Sequence, residues 1–188
     1  MAYQEILYEK EGNLAIITIN RPPMNALTNV TWREIADALG DASRDHGARA
    51  VVLTGAGDRA FSAGQDFSHL ERVAAGVEVT GVPQQQSEGD GDNCFRKLYN
   101  IEKPTIAAIN GVVAVGSNAL CLACDIRIAS DKARIALNFL ARALMPHNGV
   151  SWFLPRLVGE GRALELFYNY GNILNAEEAL KMGLVSRV

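Results

Sequence analysis

Apolar runs and polar breaks alternate along the chain around a centre at residues 106–125. Ile106 to Ile109 is a short apolar run that reads as a buried strand, and Asn110-Gly111 breaks it. Ala119 to Cys124 carries no charge on any side, which predicts a buried helix rather than an amphipathic one. Towards the N-terminus, the β-branched run Leu14 to Ile19 predicts a strand, preceded by the turn Glu11-Gly12-Asn13 and ended by Asn20-Arg21-Pro22-Pro23. Thr28 then reads as a helix cap, with Trp32, Ile35, Ala36 and Leu39 on one face of a helix running to about Ala42. Ala50 to Thr54 is the next buried strand, closed by Gly55-Ala56-Gly57, and Ala60 to Phe67 turns at Gly64.

Periodicity lapses after Phe67. Residues 76–93 hold Pro83, three glutamines and several glycine or asparagine breakers, which predicts a mobile loop. A short helix is expected from Cys94 to Ile101, then strands at Ile126 to Ala129 and Ile135 to Leu137. The turn Met145 to Gly149 leads into a helix from Val150 to Leu157, and a further helix covers Glu160 to Tyr170. Asn175 followed by Glu178 is a capping arrangement, Gly183 closes that helix, and Leu184 to Val188 is extended. Strands alternating with helices predict an α/β fold with crossover connections, in one domain spanning 1–188.

Composition narrows the function classes. With 48% hydrophobic residues in 188, the chain can bury a sizeable core, and a net charge of −3 at pI 5.6 gives no electrostatic case for nucleic acid or an anionic membrane. No apolar run reaches the length of a membrane span and MAYQEILYEK lacks a signal-peptide core, so a cytoplasmic location is expected. The three cysteines, Cys94, Cys121 and Cys124, argue against a disulfide framework. Cys121 and Cys124 have C-x-x-C spacing, but inside an apolar helix they read as small hydrophobes, not as ligands.

Candidate chemistry lies at two glycine turns. The opening of a helix leaves N–H groups without internal partners, and Gly116, lacking a Cβ, lets a ligand oxygen approach there. The turn at Gly64 offers a second such group. Two N–H donors aimed at one oxygen would form an anion hole, although local sequence alone leaves their convergence open.

The chain resembles the crotonase superfamily, also called the enoyl-CoA hydratase/isomerase family. The likeness rests on NRPPMNAL at 20–27, VVLTGAGDRAFSAGQDF at 51–67, KPTIAAINGVVAVGSNAL at 103–120, CDIRIAS at 124–130 and the closing AEEALKMGLVSRV, in family order through nearly the whole chain. It implies a crotonase-like spiral of ββα turns, with the C-terminal helical region truncated or absent. It also implies an acyl-CoA substrate whose thioester oxygen enters an oxyanion hole made by the N–H groups of Gln65 and Gly116. Such donors are worth about 2.7–4 kcal/mol each. CoA contacts are implied from backbone around Asn25, Ala26 and Ala63, with no cofactor beyond the CoA carried by the substrate and a homotrimer or hexamer as the assembly.

The chain departs from that pattern where the family's hydratases carry two glutamates. Ala119 and Phe139 stand there, and neither can activate water or deliver a proton. In several branches an acidic residue follows the proline of the next turn; here Pro146 is followed by His147, and histidine titrates near neutral pH. The expected roles are therefore catalysis by Gln65, Gly116 and His147, with Asn118 and Phe139 beside the acyl group. Asp66 is the family's aspartate after the turn, expected to cap the following helix. Isomerase-type chemistry fits a lone proton carrier better than hydration does. A thioester or β-diketone-type hydrolase and a catalytically silent CoA-binding member are the alternatives.

Overall fold

The computed structural model describes residues 3–66, 90–168, 171 and 173–188. The chain opens with an antiparallel hairpin, β1 (Ile6–Glu11) and β2 (Leu14–Ile19), turning at Gly12 with φ +57°. Helix α1 (Asn29–Arg44) follows, and the Thr28 hydroxyl accepts from the Val30 and Thr31 N–H groups as the sequence predicts. Its buried face comprises Trp32, Ile35, Ala36 and Leu39 among others, set by the 3.6-residue period.

From β3 (Ala50–Gly55) onward the chain adds strands in pairs. β3 is followed by β4 (Ala60–Ser62), β5 (Thr105–Ile109) by β6 (Val112–Ala114), and β7 (Ile126–Ala129) by β8 (Arg134–Ala136). The first strand of each pair joins a five-stranded sheet ordered β1-β2-β3-β5-β7. The second joins a sheet ordered β4-β6-β8-β9, where β9 is Ile173–Asn175. Each pair is one step of a spiral, with β3, β5 and β7 parallel in one wall and β4, β6 and β8 parallel in the other. The bend between walls brings backbone onto backbone: a Cβ on Gly111 would lie 2.5 Å from the Arg59 carbonyl carbon.

The remaining α-helices among the described residues are α2 (Asp90–Asn100), α3 (Asn118–Ala123), α4 (Val150–Val158), α5 (Glu160–Tyr168) and α6 (Ala176–Lys181). Every residue of α3 is buried, as its lack of charge predicts. α2 packs on α1, with the Trp32 and Phe95 rings 5.3 Å apart. The box at Asn175 forms in both directions: Asn175 Oδ1 accepts from the Glu178 N–H and Glu178 Oε2 accepts from the Asn175 N–H.

Three sequence expectations need correction. Residues 112–117 form β6 and a tight 3-10 turn at Val115–Ser117, not a simple connection, and α3 starts at Asn118. A three-residue strand carries too few positions for alternation to show. Helix α2 begins at Asp90 rather than Cys94, so residues 90–93 are helical and not loop; residues 76–89 lie outside those described. The end expected to be simply extended pairs instead: the Ala129 N–H donates to the Arg187 carbonyl and the Ser186 N–H to that of Arg127.

Candidate active site

The two glycine turns meet. A Cβ built on Gly64, where φ is +91°, would fall 2.6 Å from the Ala114 carbonyl oxygen and 3.6 Å from the Gly116 nitrogen. Only hydrogen fits between the turn after β4 and the turn after β6. On one side, Leu27 bridges to this segment: its N–H donates to the Gly64 carbonyl and its carbonyl accepts from the Asp66 N–H. Because successive N–H groups of an extended chain face opposite ways, the Gln65 N–H points away from Leu27. The Gln65 side chain is anchored elsewhere, its Oε1 accepting from Trp32 Nε1 at 2.9 Å.

On the other side, Gly116 sits in the 3-10 turn behind Val115, whose φ is +48°. A β-branched residue in the left-handed region costs about 1–3 kcal/mol, so its neighbours must hold it. They do so through two buried side chains. Asn118 Nδ2 donates to the carbonyls of Val115 and Ala136, both at 2.9 Å. Ser117 Oγ accepts from the Ala114 N–H at 3.1 Å and lies 2.8 Å from the Ala114 oxygen and 2.9 Å from that of Ser62. The N–H at Gly116 is thus presented by a braced tight turn rather than by the dipole of a long helix, since α3 has only six residues.

His147 completes the cluster. Its Nε2 lies 3.5 Å from where a Cβ on Gly116 would stand. Nδ1 is 2.9 Å from the Met145 carbonyl oxygen, which can only accept, so Nδ1 carries a proton, and the tautomer with that proton alone has its lone pair on Nε2. The imidazole is exposed and meets the edge of Phe139, with ring centroids 5.6 Å apart and planes at 86°. Phe139 is itself fully buried, so it seats the imidazole.

Other expected site residues are occupied with structure. Asn25, at φ +52°, donates from Nδ2 to the Ala56 and Ala60 carbonyls and accepts at Oδ1 from the Arg21 N–H. The whole residue is buried and its N–H donates to the Arg21 carbonyl, so the CoA contact expected at Asn25 is not offered by that residue's surface. The Ala26 carbonyl accepts from Arg21 Nη1 and the Ala63 N–H donates to the Met24 carbonyl. Asp66 pairs with Arg21 at 3.2 Å; the helix it was expected to cap lies outside the described residues. Asn118, expected beside the acyl group, spends both amide hydrogens on backbone. Asn138 Oδ1 is buried with no partner among the described residues, a cost of about 1–3 kcal/mol unless a donor meets it.

Sequence reading missed the braces. Ser62, whose Oγ accepts from the Gly64 N–H at 3.1 Å, had a local signal in its spacing from the glycine. The bond of Ser117 to Ser62 and that of Trp32 to Gln65 had none, because those partners come from distant segments.

The enoyl-CoA hydratase/isomerase family model matches residues 9–188. The chain belongs to that family. It is 38% identical over all its length to a crotonyl-CoA hydratase of Syntrophomonas wolfei and 39% identical over all its length to a short-chain-enoyl-CoA hydratase of Clostridium acetobutylicum, spanning 70% of each. Among solved structures, the enoyl-CoA hydratase of Bacillus anthracis superposes with a TM-score of 0.85 at 34% identity, over 98% of this chain and 70% of that one. The crotonase fold expected from the sequence is therefore the fold observed, and the spiral of ββ turns is the family's scaffold. As a member, the chain is of a family of enoyl-CoA enzymes, and the relatives' names favour hydratases over isomerases.

Proposed function

We propose that this family member enolises an acyl-CoA thioester between the Gln65 and Gly116 amides, with His147 carrying the proton, and that its net reaction is of the isomerase type. The observation that supports this best is the approach of His147 Nε2 to Gly116, at the point where the Gly64 turn also meets it.

The steps follow from the atoms present. The thioester oxygen accepts from both N–H groups, which lowers the energy of the negative charge that develops on it when the α-carbon loses a proton. Nε2 takes that proton, and the Nδ1–H bond to the Met145 carbonyl steadies the imidazolium. Return of the proton to the γ-carbon moves the double bond, with no atom gained or lost. Ala119 and Phe139 offer no ionisable group, so one shuttle serves both ends of the transfer.

Hydration is the second reading, favoured by the names of the relatives. It needs a water attacking the β-carbon while a proton reaches the α-carbon, and His147 is the ionisable side chain placed at the site among the described residues. Incubation with 2-enoyl- and 3-enoyl-CoA in deuterated buffer separates the two. We expect double-bond migration with α-deuteration, reduced about a hundredfold or more in His147→Ala. Formation of 3-hydroxyacyl-CoA instead makes the protein a hydratase. CoA binding without exchange makes it a silent member. Family likeness also suggests a trimer or hexamer, which sedimentation equilibrium checks.

A further inference from the structure

Ser117 lies where the two halves of the anion hole are joined, and its contacts differ from those of an ordinary buried serine. Ser62 and Ser117 are both wholly inaccessible. The Ser117 hydroxyl touches Ser62, three residues before Gln65, and Ala114, two residues before Gly116. Ser62 in turn accepts at its own Oγ from the Gly64 N–H. A continuous path of hydrogen bonds therefore runs from one donor turn to the other, with Ser117 Oγ at its centre. The hydroxyl has a single proton, and by donating it to the Ser62 carbonyl while accepting from the Ala114 N–H it holds both segments at once. The turns it joins have no slack: the Gly64 Cα hydrogens already face the Ala114 oxygen, and Val115 sits at a φ that a β-branched residue does not adopt unaided.

We propose that Ser117 is a positioning residue for the anion hole, setting the separation and aim of the Gln65 and Gly116 N–H groups. Without the hydroxyl, Val115 relaxes from its left-handed conformation, Gly116 rotates with it, and the two donors cease to converge. A ligand that carries no charge on the thioester oxygen notices little. One that places a full negative charge there loses much of its stabilisation, because misplacement on the scale of an ångström is enough to cost about a hundredfold. The inference rests on the reading of the Gln65 and Gly116 amides as an oxyanion hole.

The test compares free CoA with acetoacetyl-CoA, whose enolate has its own near-ultraviolet absorption band. The wild-type chain, Ser117→Ala and Ser117→Cys are titrated with both, the cysteine keeping a donor while weakening the hydrogen bond. We expect wild type to bind acetoacetyl-CoA with the enolate band. We expect Ser117→Ala to lose affinity for it about tenfold to a hundredfold with a diminished band, and Ser117→Cys to fall between, while free CoA affinity changes by less than about twofold. If alanine unfolds the chain, the cysteine variant alone decides. A full enolate band in a folded variant overturns the proposal, as does an equal loss of CoA and acetoacetyl-CoA affinity, which would mark a merely structural serine. If the wild type binds CoA yet never shows the band, the anion hole itself fails and the positioning role falls with it.

Discussion

At the scale of single residues, the site turns on two glycines that are glycine for different reasons. Gly64 has φ +91°, and a Cβ there would meet the Ala114 oxygen at 2.6 Å, backbone that cannot step aside. Gly116 carries no such conflict: its Cβ would rest at ordinary contact distance, 3.5 Å, from His147 Nε2. Gly64→Ala should therefore cost about 2 kcal/mol or more of folding stability, from strain at positive φ and the backbone clash, seen in urea denaturation. Gly116→Ala should fold with a stability within about 1 kcal/mol of wild type, since nothing must shift to admit the methyl. It should nonetheless lose α-proton exchange, because the methyl fills the gap between the N–H and the imidazole. A Gly116→Ala protein with full exchange would remove His147 from the chemistry.

Elements are fixed to one another by side chains that close on backbone. Asp125, which follows α3 and precedes β7, accepts at Oδ2 from both the N–H and the hydroxyl of Thr105, while its own N–H donates to that hydroxyl. This locks the starts of β5 and β7 in register, and with them the position of α3 between. Asp125→Ala leaves the buried Thr105 hydroxyl and N–H short of an acceptor and should cost about 1–3 kcal/mol in the denaturation midpoint. The same scale explains what the sequence disclosed. Helix α1, α3 and the strands β2, β3, β5 and β7 were legible because four to sixteen residues carry a periodic or a mostly apolar pattern. β8, read one residue late at Ile135 to Leu137, and β4, β6 and β9, not read as separate strands, have three residues each, and their pairing is decided by partners far along the chain. Of the candidate site, Gln65, Gly116 and His147 were singled out through family-like motifs and the chemistry of their residue types. Ser117, Asn118 and Trp32 were not read as braces, since a serine among apolar residues looks the same whether or not a carbonyl from residue 62 lies opposite.

For the molecule as a whole, the response to alkali follows from groups that folding keeps protonated. Burial raises the Cys124 thiol from an ordinary 9.0 to about 12 and pushes Cys94 and Cys121 up as well. Burial and the bond to Asp41 raise Tyr3 from 10.0 to about 12. In each case the folded state holds its proton to higher pH than the unfolded chain does. Stability is therefore complete below pH 9 and falls as pH rises from about 9 towards 12. Thermal melting at a series of pH values should show that decline, with no matching loss between pH 7 and 9. All three thiols are buried, so at pH 8 a disulfide reagent such as Ellman's should label none in the native chain and all three once it is unfolded.

The spiral also carries a consequence for how the site opens. Its successive strand pairs are stacked like the units of a solenoid, in which each unit is stabilised chiefly by the ones beside it. Gly64 and Gly116 follow β4 and β6, paired strands of two adjacent units, so the proposed anion hole straddles a single seam. A fluctuation that parts the Gly64 and Gly116 turns while the β4–β6 pairing holds would dissolve the proposed hole and release both donors together. In native-state hydrogen exchange, the amides of Gln65 and Gly116 would then share one opening free energy, lower than that of the strand core.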